Sequence, residues 1–211
     1  MQEYGLLIDG VWTAPNGTQP VRSPYSGEPV FRVSIAGEQE VSRAIDAAAR
    51  AFQSWSETPA HERSRILHRT SALIEERKED LARTIALEAG KPIRDARVEV
   101  GRAVQTFRFA AEEAKHIYGE NIPMDAAIGS EKRVGITFRQ PIGVIAAISP
   151  FNFPLNLVAH KVAPALASAN TVVLKPASQT PVTALKLGEI LTDAGLPAGV
   201  LNILVGSGQQ V

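Results

Sequence analysis

Cysteine is absent from the 211-residue sequence, which excludes disulfide bonds, thiolate metal sites and a cysteine nucleophile within these residues. An excess of either charge is also absent, because 22 Lys and Arg balance 22 Asp and Glu. This balance argues against a strongly basic nucleic-acid binder and against a polybasic membrane-surface protein. No apolar run reaches about 18 residues, so we expect no transmembrane helix. The first residues lack the basic and apolar regions of a signal peptide, and we expect a cytoplasmic protein.

The composition is that of an ordinary globular protein, with 45% hydrophobic and 21% charged residues. The four histidines, His61, His68, His116 and His160, show no metal-ligand spacing. We therefore predict a folded globular protein, not a disordered or fibrous one, and no metal site.

The N-terminal part of the chain predicts short strands followed by three amphipathic helices. Apolar residues recur at intervals of three and four in 38–55, then in a second stretch from Ile66 through Leu81 to Ile85, and again in 96–117. Gly90 is placed to end the second helix. We expect this helical section to pack on the rest of the chain.

Residues 120–132 are typical of a linker, and 133–139 alternate apolar and polar side chains. Val134, Ile136 and Phe138 fall on one side of this segment, which predicts a half-buried strand.

After Pro141, short apolar runs alternate with helical stretches. The runs cover 143–148, 171–174 and 200–205, and the helices cover 157–167 and 182–192. This alternation predicts an α/β fold, with a parallel sheet joined by right-handed crossovers.

Ligands bind beyond the carboxyl ends of such strands, so the loops at 149–154, 175–178 and 206–208 are the candidate site. Asn152, held between prolines and aromatic residues, is either an oxyanion donor or a residue that caps the following helix or satisfies a turn. Lys175 either meets a ribose or phosphate or reaches solvent past its strand. Gly206 and Gly208 form only a weak glycine motif, because the third glycine of the standard dinucleotide fingerprint would fall at Val211.

Several segments in the right order resemble the aldehyde dehydrogenase superfamily. The loop Ser149-Pro150-Phe151-Asn152-Phe153-Pro154 resembles its proline–aromatic–asparagine–aromatic–proline motif, and Asn170 to Ala177 resembles the strand and lysine that follow. The segments 194–202 and 88–92 are also similar. This resemblance covers essentially the whole chain.

The resemblance implies NAD(P)-dependent oxidation of an aldehyde to a carboxylate or acyl product, through attack by a cysteine thiolate. It implies that Asn152 stabilises the oxyanion. It also implies a Rossmann-like cofactor domain, whose atypical βαβ site needs no standard glycine fingerprint. It also implies that 1–119 and 141–211 belong to the cofactor-binding domain and that 120–140 hold a linker and an oligomerisation strand. The implied cofactor-binding residues are Ile148, Ser149, Pro150, Phe151, Asn152, Lys175, Pro176, Ala177, Ser178 and Gly208.

Ser178 stands where many NAD-preferring relatives carry glutamate, three positions after the lysine. A carboxylate there would repel a 2′-phosphate, whereas a small hydroxyl leaves room for one. We predict that the protein accepts NADP as well as NAD. A further hypothesis is that it prefers NADP. The competing interpretation is that Ser178 only weakens NAD binding.

For the substrate, Arg102 matches a position that non-phosphorylating glyceraldehyde-3-phosphate dehydrogenases use for an anionic tail. The alternative is an ordinary helix-surface pair of Arg102 with Glu99. His160 is a second substrate candidate, since it follows the Asn152 loop by eight residues. We expect a small aldehyde with an anionic or hydroxylated tail.

The resemblance also implies a homo-oligomer, in which the strand at 132–140 pairs with a neighbouring subunit. The missing cysteine leads us to expect that the chain is the N-terminal portion of a longer enzyme and is inactive alone. Two other interpretations stay open, a nucleotide-binding module without redox chemistry and a structural fragment.

Overall fold

The computed structural model describes residues 1–14 and 17–209. The strands are β1 (Gln2–Tyr4), β2 (Leu6–Ile8), β3 (Val11–Thr13), β4 (Thr18–Arg22), β5 (Pro29–Ser34), β6 (Asn121–Ile122), β7 (Gly135–Ile136), β8 (Val144–Ile148), β9 (Thr171–Lys175) and β10 (Leu201–Ile203). The helices are α1 (Glu38–Trp55), α2 (Ala60–Glu76), α3 (Lys78–Ala89), α4 (Ile93–Glu113), α5 (Asn156–Ala167) and α6 (Val182–Asp193), and a 3₁₀ turn covers Met124–Ala126.

The central sheet has the strand order β3-β2-β10-β9-β8. Strands β8, β9 and β10 are parallel, with Val144 opposite Thr171 and Val172 opposite Leu201. Helices α5 and α6 connect these strands, so the predicted α/β fold with a parallel sheet is confirmed. The N-terminal hairpin β2–β3 extends the sheet through an antiparallel pairing of β2 with β10.

The inner strands β9 and β10 are covered on both faces, whereas the edge strand β8 leaves Val144 and Ile148 38% and 64% exposed. The buried Thr171 hydroxyl donates to the carbonyl of Ala48 in α1 at 3.0 Å. Its neighbour Val172 points to the opposite face, because side chains alternate along a strand. On that face Ile203 lies against Gly188 of α6, where an added Cβ would be 2.7 Å from the Ile203 Cδ1. Helices α2, α3 and α4 pack outside α5 and α6, whereas α1, the first helix of the predicted helical section, packs directly on the sheet.

The second predicted helix is wrong as a single element, because the chain breaks at Arg77 into α2 and α3. Arg77 leaves the helical conformation with φ −94° and ψ 16°. Ile74, Leu81 and Ile85 are all buried, so the apolar repeat continues across the break and does not reveal it. The third helix ends at Glu113 and not at residue 117, since tighter turns follow from Ala114.

The half-buried strand predicted at 133–139 is also corrected. Only Gly135–Ile136 form a strand, paired antiparallel with Asn121–Ile122 in a separate two-stranded ribbon. Val134, Ile136 and Phe138 are 85%, 57% and 76% exposed. The alternation therefore marks a ribbon that stands away from the sheet and buries neither side.

Candidate functional site

The three predicted loops lie together at the carboxyl edge of the parallel sheet. The Ser149 N–H donates to the carbonyl of Lys175 at 3.2 Å, which joins the first two loops. The Ser178 hydroxyl donates to the carbonyl of Gly206 at 2.7 Å, which joins the second and third. The three loops, which lie within the 58 residues from Ser149 to Gly206, therefore meet at one edge of the sheet.

Ser149 presents an unsatisfied polar group at this edge. The residue is only 5% exposed, and its hydroxyl has no hydrogen-bond partner among the described residues. Ile148, Pro150 and Phe151 beside it are exposed. Buried hydroxyls are normally paired, so an unpartnered one at this edge is unusual.

Asn152 is exposed, and its side-chain amide has no hydrogen-bond partner within the described ranges. It does not cap α5, because the N–H groups of Leu155 and Asn156 donate to Glu99 at 2.9 and 3.2 Å. The capping alternative for Asn152 is therefore wrong. Both amide hydrogens of Asn152 remain available to a ligand.

Glu99 and Lys91 hold the backbone of this loop. Glu99 is buried in α4, and its second carboxylate oxygen pairs with the Lys91 ammonium. Lys91 also donates to the carbonyl of Asn152 at 2.9 Å and lies 3.9 Å from the ring centroid of Phe153. Glu99 pairs with Lys91 and not with Arg102, so the alternative helix-surface pair is not found among the described residues.

Arg102 and Asn152 line the same cavity, of about 600 Å³, between α4 and the Asn152 loop. The guanidinium of Arg102 lies 5.6 Å from the Phe153 ring centroid. His160 lines a separate cavity of about 390 Å³ between α4 and α5, beside Phe109 and Glu113. The structure therefore brings Arg102 to Asn152 and does not bring His160 there.

Lys175 supplies a cation at the second loop. Partial burial lowers the pKa of its ammonium, and the group turns back to donate to the carbonyl of Pro176 at 3.3 Å. The adjoining Ala177 and Ser178 are half-buried. Gly208 is exposed, with open space where a side chain would stand. The fingerprint position Val211 lies outside the described residues.

Sequence reasoning missed the two buried glutamates that fix these loops. Glu88 in α3 accepts the N–H groups of Val182 and Thr183 at 2.8 and 3.0 Å, where α6 begins. Burial raises the pKa of Glu88 to about 7, while its hydrogen bonds to α6 oppose the shift. The sequence does carry a sign of these buried residues, because Glu88 and Glu99 each occupy a position of a helical repeat that is otherwise apolar. A charged residue in such a stripe indicates a buried partner.

No described helix combines the length and apolar character needed to cross a membrane. Within 1–14 and 17–209, no three side chains of His, Asp or Glu are grouped to hold a metal ion.

The chain is similar to known proteins in sequence and in fold. The sequence pattern of the "Aldehyde dehydrogenase family" matches residues 12–211. The 3-sulfolactaldehyde dehydrogenase of Priestia aryabhattai is 43% identical over 211 residues, which cover 100% of this chain and 44% of that enzyme. The NADP(+) succinate-semialdehyde dehydrogenase of Escherichia coli K12 is 44% identical over 207 residues, covering 97% of this chain and 42% of that enzyme.

Among solved structures, aldehyde dehydrogenase 21 of Physcomitrella patens, in complex with the reaction product succinate, superposes with a TM-score of 0.95. It is 41% identical, and the match covers 99% of this chain and 44% of that one. The chain thus spans less than half the length of the relatives it matches.

Proposed function

The chain belongs to the aldehyde dehydrogenase family, and on this premise we propose that the protein carrying it oxidises a small aldehyde to its carboxylate with NAD(P). The observation that carries the proposal is the unpartnered amide of Asn152 in a cavity shared with Arg102. We propose that the hydride acceptor lies beside this amide, along the loop that also holds the buried, unpartnered Ser149 hydroxyl.

Asn152 supplies the electrostatic part of the chemistry. When a nucleophile adds to an aldehyde, the carbonyl oxygen acquires negative charge, and a side-chain amide donates hydrogen bonds to it. The loop around Asn152 is stiffened by Pro150 and Pro154 and anchored by Lys91, so the donor needs little reorganisation. The nucleophilic cysteine is absent from these 211 residues. We propose that it lies in the length of the relatives that this chain does not span, and that the chain alone turns over no aldehyde.

The loop edge fits a nicotinamide dinucleotide. The Ser149 hydroxyl is an orphaned buried polar group, Lys175 offers a cation for the adenosine ribose, and Gly208 leaves room for close backbone approach. Ile148 to Asn152 would run beside the nicotinamide, with Pro176, Ala177 and Ser178 around the ribose. When bound, the cofactor accepts the hydride that leaves the substrate carbon.

Ser178 favours NADP in this site. Its hydroxyl donates to the Gly206 carbonyl, so a small neutral side chain borders the ribose position and no carboxylate opposes a 2′-phosphate. The name of the Escherichia coli relative specifies NADP(+), which supports the same preference.

Arg102 defines the substrate class. Its guanidinium lies in the cavity with Asn152, where it would bind a carboxylate or sulfonate at the far end of a short aldehyde. The relatives named for sulfolactaldehyde and succinate semialdehyde act on aldehydes that carry such anionic tails. We propose Arg102 as the anchor and do not keep His160, because His160 lines the other cavity.

The β6–β7 ribbon is the proposed contact between subunits. Its exposed apolar side chains include Val134, Ile136 and Phe138, and an exposed strand pair invites pairing with another chain. The division into 1–119, 120–140 and 141–211 remains a proposal of the same kind.

A second function for the chain alone is a nucleotide-binding module, which the absence of cysteine favours. Two measurements test both proposals. The complete polypeptide should reduce NADP in the presence of succinate semialdehyde. The 211-residue chain should gain saturable thermal stability from NADP without turnover. Lys175→Met should remove most of that gain, and Lys115→Met, at an exposed lysine of another surface, should keep it. A complete polypeptide that binds NADP but oxidises no aldehyde would leave only the binding module.

A further inference from the structure

The ammonium group of Lys91 connects the helical section to the Asn152 loop through several contacts. Its side chain is 15% exposed, and it pairs with the fully buried Glu99. The same ammonium donates to the Asn152 carbonyl at 2.9 Å and lies over the Phe153 ring. The cation therefore touches two successive residues of the loop.

Glu99 reaches the other flank of the same loop. One of its oxygens accepts the N–H groups of Leu155 and Asn156, which begin α5 directly after the loop. Its other oxygen holds Lys91. The pair thus fixes the backbone on both sides of Phe153, at Asn152 and at Leu155.

We propose that Lys91 and Glu99 are positioning residues for Asn152, which fix the loop so that the side-chain amide of Asn152 is aimed into the shared cavity. The inference rests on the proposed function, because it assigns the pair a purpose at the oxyanion donor. The pair contacts the loop backbone, and the amide of Asn152 remains free for substrate.

This arrangement differs from an ion pair that only stabilises the fold. Lys186 offers the comparison, because its side chain is 11% exposed and its ammonium bridges to Asp80 at 2.6 Å. That pair links α6 to α3 and touches none of the three site loops. Removing either lysine costs an ion pair, but only Lys91 should change the order of the Asn152 loop.

The test compares Lys91→Met with Lys186→Met by two readouts. The first is the backbone amide order parameter of Asn152, measured by ¹⁵N relaxation on the 211-residue chain. We expect about 0.85 in the native chain and in Lys186→Met, falling toward about 0.6 in Lys91→Met. The second is kcat in the complete polypeptide, where we expect Lys91→Met to lose about tenfold or more with an unchanged KM for NADP. Lys91→Arg should recover part of this loss, since it restores the cation.

The outcomes separate this inference from the proposed function. If Lys91→Met leaves the order parameter and kcat at their native values, the positioning role is wrong even when the enzyme is active. If the complete polypeptide oxidises no aldehyde, the proposed function fails, and the order parameter still decides whether the pair fixes the loop. Glu99→Gln, which keeps an acceptor for the two N–H groups, provides a second variant should Lys91→Met fold poorly. An unchanged order parameter in Glu99→Gln would likewise contradict the inference.

Discussion

The carboxylate of Glu88 in α3 accepts the N–H of Val182, the first residue of α6, at 2.8 Å. The bond spans 94 positions of sequence and fixes the helix that follows the Lys175–Ser178 loop. Glu88 is buried, and that burial raises its pKa from 4.5 to about 7. The start of α6, directly after the Lys175–Ser178 loop, is thus anchored by a carboxyl group whose pKa is raised by burial.

This titration predicts how stability changes with pH. Between pH 4.5 and about 7, folded Glu88 keeps a proton that the unfolded chain has lost. Its contribution to stability is therefore complete below pH 4.5 and is lost as the pH rises through about 7. Relative to Glu88→Gln, the native chain should lose about 1 kcal/mol for each pH unit in that window.

Urea unfolding of both proteins from pH 5 to 8 measures this difference. Glu76→Gln, at an exposed carboxylate of α2, is the matched control and should follow the native pH profile. Parallel profiles for the native chain and Glu88→Gln would show that Glu88 is not the titrating group.

Ser178→Glu should reverse the cofactor preference. A carboxylate at this position accepts the ribose hydroxyls of NAD and repels the 2′-phosphate of NADP, so we expect NADP to bind at least about tenfold more weakly. Ser178→Ala removes only the hydrogen bond to Gly206 and should preserve the preference for NADP. Calorimetric titration of the complete polypeptide with each cofactor gives both affinities. A strong native preference for NAD, abolished in Ser178→Ala while NADP binding is unaffected, would overturn the assignment.

Arg102→Gln should discriminate between substrates by charge. Losing a charge-assisted contact costs about 1.5–3 kcal/mol, so kcat/KM for succinate semialdehyde should fall about tenfold to a hundredfold, while that for butyraldehyde changes little. Arg94→Gln, which removes an exposed cation from the same helix, should affect neither aldehyde. If Arg102→Gln changes kcat/KM equally for both aldehydes, Arg102 does not bind the anionic tail of the substrate.

Charges in the β6–β7 ribbon should disrupt the proposed oligomer. In the complete polypeptide, Ile136→Asp combined with Phe138→Asp places two carboxylates on exposed apolar positions, and sedimentation should report a smaller species than for the native protein. Tyr25→Asp, at a side chain 95% exposed in the turn between β4 and β5, should leave the native size. A native protein that already sediments as a stable monomer would refute the ribbon's role.

The parallel core was predictable from sequence because each of its strands is a short, continuous apolar run, and β9 and β10 are buried on both faces. The candidate loops followed from the same argument, since strand ends meet at one edge of a parallel sheet. The break at Arg77 was not predictable, because Ile74 and Leu81 keep the helical repeat across it. The prediction of a half-buried strand at 133–139 was wrong for a different reason. The alternation of apolar and polar side chains around Ile136 shows which residues share a side of the strand. Whether that side is buried depends on a covering surface that the sequence does not specify.

The anchoring glutamates show a further limit of sequence. Glu88 and Glu99 occupy core positions of their helices, but their partners in α6 and at the start of α5 lie 94 and 56 positions away. Only the packing of the helical section on α5 and α6 reveals that each carboxylate caps a helix that follows a site loop.

The central claim is that Asn152 donates to the oxyanion of an aldehyde under attack, and the most direct test is the steady-state kinetics of Asn152→Ala in the complete polypeptide. Removing one oxyanion donor lowers kcat by about 10²–10³, so NADPH formation from succinate semialdehyde should fall by that factor while NADP affinity stays close to native. A kcat for Asn152→Ala within a factor of about two of the native value would contradict the account. Such a change is far smaller than the tenfold effect that about 1.4 kcal/mol of transition-state stabilisation produces.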